Sequence, residues 1–454
     1  MVSLRVFILL ALPALRARAH CTAQQPPEAA SPPPAPPLAP TPAPSPSPSP
    51  VTSPTPAPSP SPTPGGGQGT LPARKRVAYF TEWGIYQRAY YPANIPAASL
   101  DVVNYAFADI SSTGQVVLYD SYAAVEKAYP GDTWDQPLKG NFNQLIKLKQ
   151  QYPNLRTMIS IGGWTLSGHL SDVALTAASR QAFAQSAVQF AVKYGFDGVD
   201  IDWEYPVGGG LSTNINRPED KHNYTLLLQA LRTALDAQGA IDGKHYLLTI
   251  AAPVGPSNYA NLELSAVAGV VDWLNIMSYD YHGAWEKTTN HHCPLYRSPA
   301  DPGDPSLNIA STVQGYLAAG VPASRIVLGV GAYGRSWSGV PATNNGLYQT
   351  STAVPFGTWD STGVFDYNDL VNRIASGSFT RSWDDAAKVP YIYAPASGGG
   401  IFITYDDPQG VALKTDYVVS HGLGGIMLWE LSSDVRDITS PQSLLRTVNQ
   451  HLTQ

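Results

Sequence analysis

The sequence predicts an α/β fold, a (β/α)8 (TIM) barrel carrying an α+β insertion domain between its seventh and eighth strands. Three observations predict it. Eight short apolar runs recur along the chain, helical patterns lie between most of them, and one connection is too long for a single crossover. Continuous apolar strands alternating with helices indicate a parallel sheet buried on both faces. Eight such units in about 380 residues suit a barrel. A doubly wound open sheet is the competing architecture, but no Gly-rich phosphate fingerprint follows the first strand.

Taken in order, residues 1–19 read as a secretory signal. Arg5 supplies the positive charge, residues 6–15 a short apolar run, and Ala17-Arg18-Ala19 a cleavage site. The apolar run is too short to span a bilayer. Residues 20–73 are rich in Pro, Ser, Ala and Thr, with Ser45-Pro46-Ser47-Pro48-Ser49-Pro50 as the type stretch. Such a segment buries no core and reads as a disordered, extended linker. It either tethers the protein to the cell envelope or acts as a spacer.

Folding sequence begins at Arg74. Strands are expected at 77–81, 102–108, 157–161, 198–202, 246–251, 273–277, 326–331 and 425–429. The clearest helices fall at 142–150, 179–194, 220–237, 307–319 and 411–421. The barrel therefore takes 74–335 and 405–454, and the insertion takes 336–404. Within the insertion, 346–357 and 391–405 read as short strands with turns and 367–376 as a helix. A second insertion, 111–140, follows strand two. Loops after strands build the C-terminal face of a barrel, so both insertions are expected to wall a groove there.

The net charge of −6 leaves no basic footprint for nucleic acid. The two cysteines, Cys21 and Cys293, are too few and too far apart for a disulfide framework. No other segment is apolar enough to span a membrane. The chain is expected to be secreted, extracellular and monomeric.

The chemistry is concentrated in Phe196-Asp197-Gly198-Val199-Asp200-Ile201-Asp202-Trp203-Glu204-Tyr205. On a strand, Asp200, Asp202 and Glu204 share one face, about 6.5 Å apart, while Val199, Ile201 and Trp203 share the other. Like charges so close do not all ionise, so at least one carboxyl keeps its proton near neutral pH. A proton donor beside a carboxylate is what glycosidic cleavage requires. Competing readings are a solvated acidic edge, a calcium loop and a structural ion-pair network. The strict apolar alternation opposes the first. Tyr205 stands where a calcium loop places Gly. No Lys or Arg lies between Asp197 and Glu204 to support the third.

The stretch also resembles the signature of glycoside hydrolase family 18, the chitinases, which runs Asp-Gly-x-Asp-x-Asp-x-Glu. Asp197 to Glu204 fills every fixed position. Ser160-Ile161-Gly162-Gly163-Trp164 resembles the family's Ser-x-Gly-Gly motif, and Met277-Ser278-Tyr279-Asp280 its Met-x-Tyr-Asp. Gly357-Thr358-Trp359-Asp360, Phe365-Asp366-Tyr367 and Ile403-Thr404-Tyr405-Asp406-Asp407-Pro408 look like the insertion domain of the larger, exo-type members and its exit.

The resemblance implies hydrolysis of chitin or chitooligosaccharides with retention, in which the substrate's own 2-acetamido oxygen attacks. It makes Glu204 the acid and then the base, and Asp202 the holder of the acetamido nitrogen. Asp200 shares a proton behind it, and Tyr279 steadies the acetamido oxygen. Asp197 is expected to be structural. By resemblance Tyr79, Phe107, Gly163, Met277 and Trp429 line the pocket of the cleaved sugar. Trp83, Trp164 and Trp285 stack on sugars along the groove, and Asp280 and Arg335 bind in the cleft. As residues alone, Tyr79 and Phe107 read equally as plain core, and the three tryptophans as partly buried aromatics. No metal or organic cofactor is implied. The alternatives are an endo-β-N-acetylglucosaminidase acting on N-glycans and a chitin-binding lectin; lectins of this type typically lack the acidic Glu, which is present here.

Overall fold

A computed structural model describes residues 69–395 and 399–452. The expected signal at 1–19, Cys21 and most of the Pro-rich stretch lie outside the described residues. Residues 69–73, placed in the linker by the sequence, lie against the folded part. Leu71 packs on the core, and the Gly69 carbonyl accepts a hydrogen bond from Arg156 Nη2 at 2.5 Å.

The first eight strands are β1 (Lys75–Thr81), β2 (Val102–Ile110), β3 (Val116–Leu118), β4 (Arg156–Gly162), β5 (Gly198–Asp202), β6 (Leu247–Ala252), β7 (Trp273–Ile276) and β8 (Ile326–Gly331). The remainder are β9 (Tyr333–Ser338), β10 (Val364–Asp366), β11 (Thr380–Asp384), β12 (Val389–Ala394), β13 (Ile401–Thr404) and β14 (Gly425–Trp429). Eight of them run parallel in the order β1-β14-β8-β7-β6-β5-β4-β2, and β2 pairs back onto β1 with Val77 opposite Val102. The sheet is therefore a closed barrel with helices outside it. β3 adds an antiparallel edge to β2 within the expected second insertion.

Apolar side chains on the outer strand faces drive the helical ring. Val199 and Ile201 of β5 are fully buried in one cluster with Leu227, Leu228, Leu231 and Leu235 of the helix Asp220–Asp242. At roughly 25 cal/mol per Å2 such residues contribute about 1.5–3 kcal/mol each. The helix Ala177–Tyr194 starts at a Thr176–Ser179 capping box. The helix Pro408–Ser420 starts with Asp407 accepting from the amides of Gln409 and Gly410, and with Pro408 in its first turn.

A second, antiparallel sheet lies in the chain between β8 and β14, in the order β10-β9-β13-β12-β11, with the helix Tyr367–Ala375. It begins at Tyr333, three residues before the boundary read from the sequence. The strand expected within 346–357 is not formed. Asn344, Asn345, Gly346 and Tyr348 all have positive φ, which a strand does not tolerate. Only single bridges remain there, Thr350 to Thr288 and Ala353 to Ser338. Among the described residues no helix is long and apolar enough to cross a membrane.

Candidate active site

Burial decides the chemistry of β5. Asp200 is fully buried in the barrel, and four donors converge on it. Tyr79 Oη and Ser160 Oγ each reach Oδ2 at 2.7 Å, Thr249 Oγ1 reaches Oδ1 at 2.5 Å, and Asn275 Nδ2 reaches Oδ1 at 3.4 Å. Burial raises the Asp200 carboxyl, and these hydrogen bonds pull it back. Asp202, one step nearer the mouth, is almost as buried but Oδ1 has no hydrogen-bond partner among the described residues. Burial first, then the charges of Glu204 and Asp200, push its carboxyl well above the ordinary range.

Glu204 lies just past the strand end and is half-buried. Burial raises its carboxyl to about 7; hydrogen bonding with Tyr205 opposes the rise, Asp280 adds to it, and Arg335 opposes it. Its main chain is pinned. The amide donates to Ser167 Oγ at 2.9 Å, and the carbonyl accepts from Asn214 Nδ2 at 3.0 Å. Asp197, at the other end of the stretch, pairs with Lys149 at 2.8 Å and accepts from the Thr157 amide. The cation absent from the motif is thus supplied by the helix Gly140–Gln151, which ties Asp197 to the outside of the barrel end rather than to the other acids.

The two glycines ending β4 fit this strand end. Gly162 and Gly163 have φ of 110° and 89°. The Gly163 amide donates to the Asp202 carbonyl at 2.7 Å. A Cβ on Gly162 would lie 2.2 Å from that carbonyl oxygen, and one on Gly163 would lie 2.7 Å from the Phe107 ring. Only glycine lets β4 approach both neighbours.

Aromatic rings surround the acids. Tyr79, Trp83 and Phe107 all pack on Trp429, with centroids 5.2, 6.5 and 5.8 Å from it. Met277 and Tyr279 belong to the same cluster. Burial, Asp202 and Glu204, in that order, push the Tyr279 phenol far up, so it stays a neutral donor. Its ring lies 6.0 Å from that of Tyr333.

Asp280 adopts φ 58° and takes a bidentate bond from Arg335, Nε to Oδ1 at 2.8 Å and Nη2 to Oδ2 at 2.5 Å. Burial alone would raise the Asp280 carboxyl; the Arg335 guanidinium outweighs it and holds the group well below the ordinary range. Arg335 sits on β9, and its guanidinium lies 5.3 Å from the Trp285 ring. Trp285 and Trp164 are 59% and 47% exposed, which leaves broad apolar faces in solvent. A cleft of about 440 Å3 runs beside Trp83, lined by Arg88, Trp359 and Asp366. Arg88 spans it, paired to Asp366 at 3.1 Å and stacked 5.2 Å from Trp359.

Sequence reasoning missed Ser160 as a donor, Thr249, Asn275, Ser167 and Asn214. Thr249 and Asn275 carried a usable signal, since each is a lone amide or hydroxyl in an otherwise apolar barrel strand. Among the described residues no group of three or more His, Cys, Asp or Glu could hold a metal ion.

A barrel whose strand end holds a proton-bearing carboxyl, a second carboxyl behind it and an apolar floor is the site of a glycoside hydrolase. Comparison with known sequences narrows the class. The profile of "Glycosyl hydrolases family 18" matches residues 75–434, and the chain belongs to that family. It is 49% identical over 397 residues to "Chitinase A1" of Niallia circulans, covering 79% of this chain and 56% of that protein. It is 39% identical over 379 residues to "Chitinase 1" of Aphanocladium album, covering 82% and 84%. The solved "Chitinase ChiA74 from Bacillus thuringiensis" superposes with a TM-score of 0.79 at 42% identity, over 84% of this chain and 70% of that one.

Proposed function

We propose that this chain is a secreted chitinase, cleaving the β-1,4 bonds of N-acetylglucosamine polymers with retention and releasing chitobiose. The observation that carries the reading is the contrast along β5: Glu204 keeps a proton to about 7 beside the apolar floor, and Asp202 beneath it has an unused oxygen. The named chitinases to which the chain is similar support the substrate class.

In this mechanism the sugar to be cleaved lies on Trp429, edged by Tyr79, Phe107 and Met277, where Gly163 leaves room. Glu204 gives its proton to the glycosidic oxygen as the C1–O bond breaks. The substrate's acetamido oxygen closes onto C1, forming an oxazolinium ion. Asp202 turns its free oxygen to accept the acetamido N–H, and the Asp200–Asp202 pair, holding one proton and one negative charge, offsets the positive charge. Tyr279 donates to the acetamido oxygen. Glu204, now a carboxylate, takes a proton from water as that water attacks C1 and the bond from C1 to the acetamido oxygen breaks, which regenerates the acetamido group, restores the acid and retains the configuration.

Trp83, Trp164 and Trp285 serve as platforms along the chain, and Asp280 with Arg335 binds the sugar hydroxyls. The second sheet, which begins at Tyr333, and its helix form the insertion domain and one wall of the groove. The signal at 1–19 directs export, and the product is released outside the cell. The test is incubation of the full chain with N-acetylglucosamine hexamer and, separately, with an N-glycopeptide, read by mass spectrometry. Dimer from the hexamer is expected, first as the β-anomer by NMR. Cleavage of the glycopeptide alone, or binding without cleavage, would overturn the reading.

A further inference from the structure

Asp200 is the deepest of the three acids, and two of its four donors are not among the residues singled out in the sequence. Thr249 stands in Leu247-Leu248-Thr249-Ile250-Ala251-Ala252 and Asn275 in Trp273-Leu274-Asn275-Ile276. Both are fully buried. A hydroxyl or amide placed in an apolar strand costs free energy unless it is bonded, so these positions call for a partner. Both find Oδ1 of Asp200. The Asn275 amide is oriented from the other side. The Trp273 indole N–H, which can only donate, reaches Asn275 Oδ1 at 2.9 Å, and this leaves the NH2 facing Asp200.

We infer that Thr249 is a positioning residue for the reaction: its hydroxyl grips Asp200 Oδ1 and so sets the pH at which the Asp200–Asp202 pair takes up a second proton. The inference rests on the hydrolytic role proposed above for these acids. A donor bonded to a carboxylate favours its charged form, and losing the donor favours protonation. Among the bonds that oppose burial at Asp200, Thr249 contributes most.

Other groups face Asp200 as well. Asp202 lies on the same strand, Tyr79 on β1, Tyr224 on the helix Asp220–Asp242, and Tyr279 after β7. Burial pushes all three phenols well above their ordinary range, so they stay neutral where the enzyme works. Asp202 is then the neighbour that titrates with Asp200. With one proton between them Asp202 can turn to the substrate and leave Asp200 charged. With two protons the pair no longer offsets the oxazolinium.

Thr249→Val replaces the hydroxyl by a methyl of the same shape. The acid limb of the kcat/KM profile is expected to move up by about one pH unit, the loss of one charge-assisted hydrogen bond. On that limb the rate falls up to about tenfold, while the alkaline limb set by Glu204 stays in place. Thr249→Ser keeps the hydroxyl and should restore the wild-type acid limb. Should the valine variant not fold, Thr249→Ala carries the same test. An unmoved acid limb in the folded variant would overturn the inference, as would a loss equal at every pH that tracks the folded fraction by circular dichroism. Failure of the underlying reading looks different, because Glu204→Gln would then retain turnover.

Discussion

Asp406 with Lys414, between β13 and the helix that follows it, and Asp200 with Asp202 and Glu204, at the end of β5, are two buried acidic clusters built on opposite lines. In the first the carboxylate has its own cation. Lys414 and Asp406 are ion-paired and essentially inaccessible, next to the buried Cys293. Burial alone would lower the Lys414 ammonium; Asp406 outweighs it and raises it. In the second, neutral donors serve the deepest acid, and neither Asp200 nor Asp202 forms an ion pair among the described residues. Matched buried charge holds a fold, whereas unmatched buried charge stores protons. The first cluster belongs to architecture and, on the function proposed above, the second to chemistry.

Substitutions can break that contrast from either side. Glu204→Gln removes the stored proton and should lower kcat by about a thousandfold or more, with melting temperature and oligosaccharide binding near wild type. Lys414→Met strands the Asp406 charge and should cost about 3–5 kcal/mol of stability, read by chemical denaturation. Its kcat per folded molecule should remain near wild type. If the lysine variant instead lost turnover at full stability, the division between the clusters would fail.

A smaller effect comes from pH. As the proposed acid Glu204 must hold its proton, and it is raised to about 7, so the rate should fall as pH rises through 7. An optimum well into alkaline pH would contradict the assignment. Smaller still, a Cβ on Gly283 would lie 2.2 Å from the Trp285 ring. Gly283→Ala should therefore displace this proposed platform and raise KM for the hexamer several-fold with little change in kcat, an overpacking cost of about 1–3 kcal/mol.

Most of the barrel strands were legible as nearly continuous apolar runs and β5 by its alternation, and 198–202, 326–331 and 425–429 have the same ends in sequence and structure. The second sheet was harder to read. β11, Thr-Arg-Ser-Trp-Asp, is exposed or half-buried throughout and carries no apolar period. The 346–357 segment has strand-like composition, but its backbone turns left-handed just before and within it. At the site, the acids and the glycine pair were visible as motifs, and the aromatic floor only through the family resemblance. Their supports were not, because Ser167, Thr249 and Asn275 act through bonds to residues 35 to 75 positions away. Arg88 was invisible for the same reason, since its partner Asp366 lies 278 residues on.

The junction between the sheets has its own consequence. Ala332 alone separates β8 from β9, its amide bonded to the Trp429 carbonyl and its carbonyl accepting from the Tyr367 amide. Three residues later the same strand delivers Arg335 to Asp280. Strand side chains alternate with a period of two, so parity is fixed between that junction and the guanidinium. A single inserted or deleted residue here would send Arg335 to the opposite face and bring Gly334 or Ser336 in its place. Length change at this seam is therefore quantised. Pairs of residues preserve the phase and single residues destroy it, so indels between the barrel and its second sheet should be inherited in even steps.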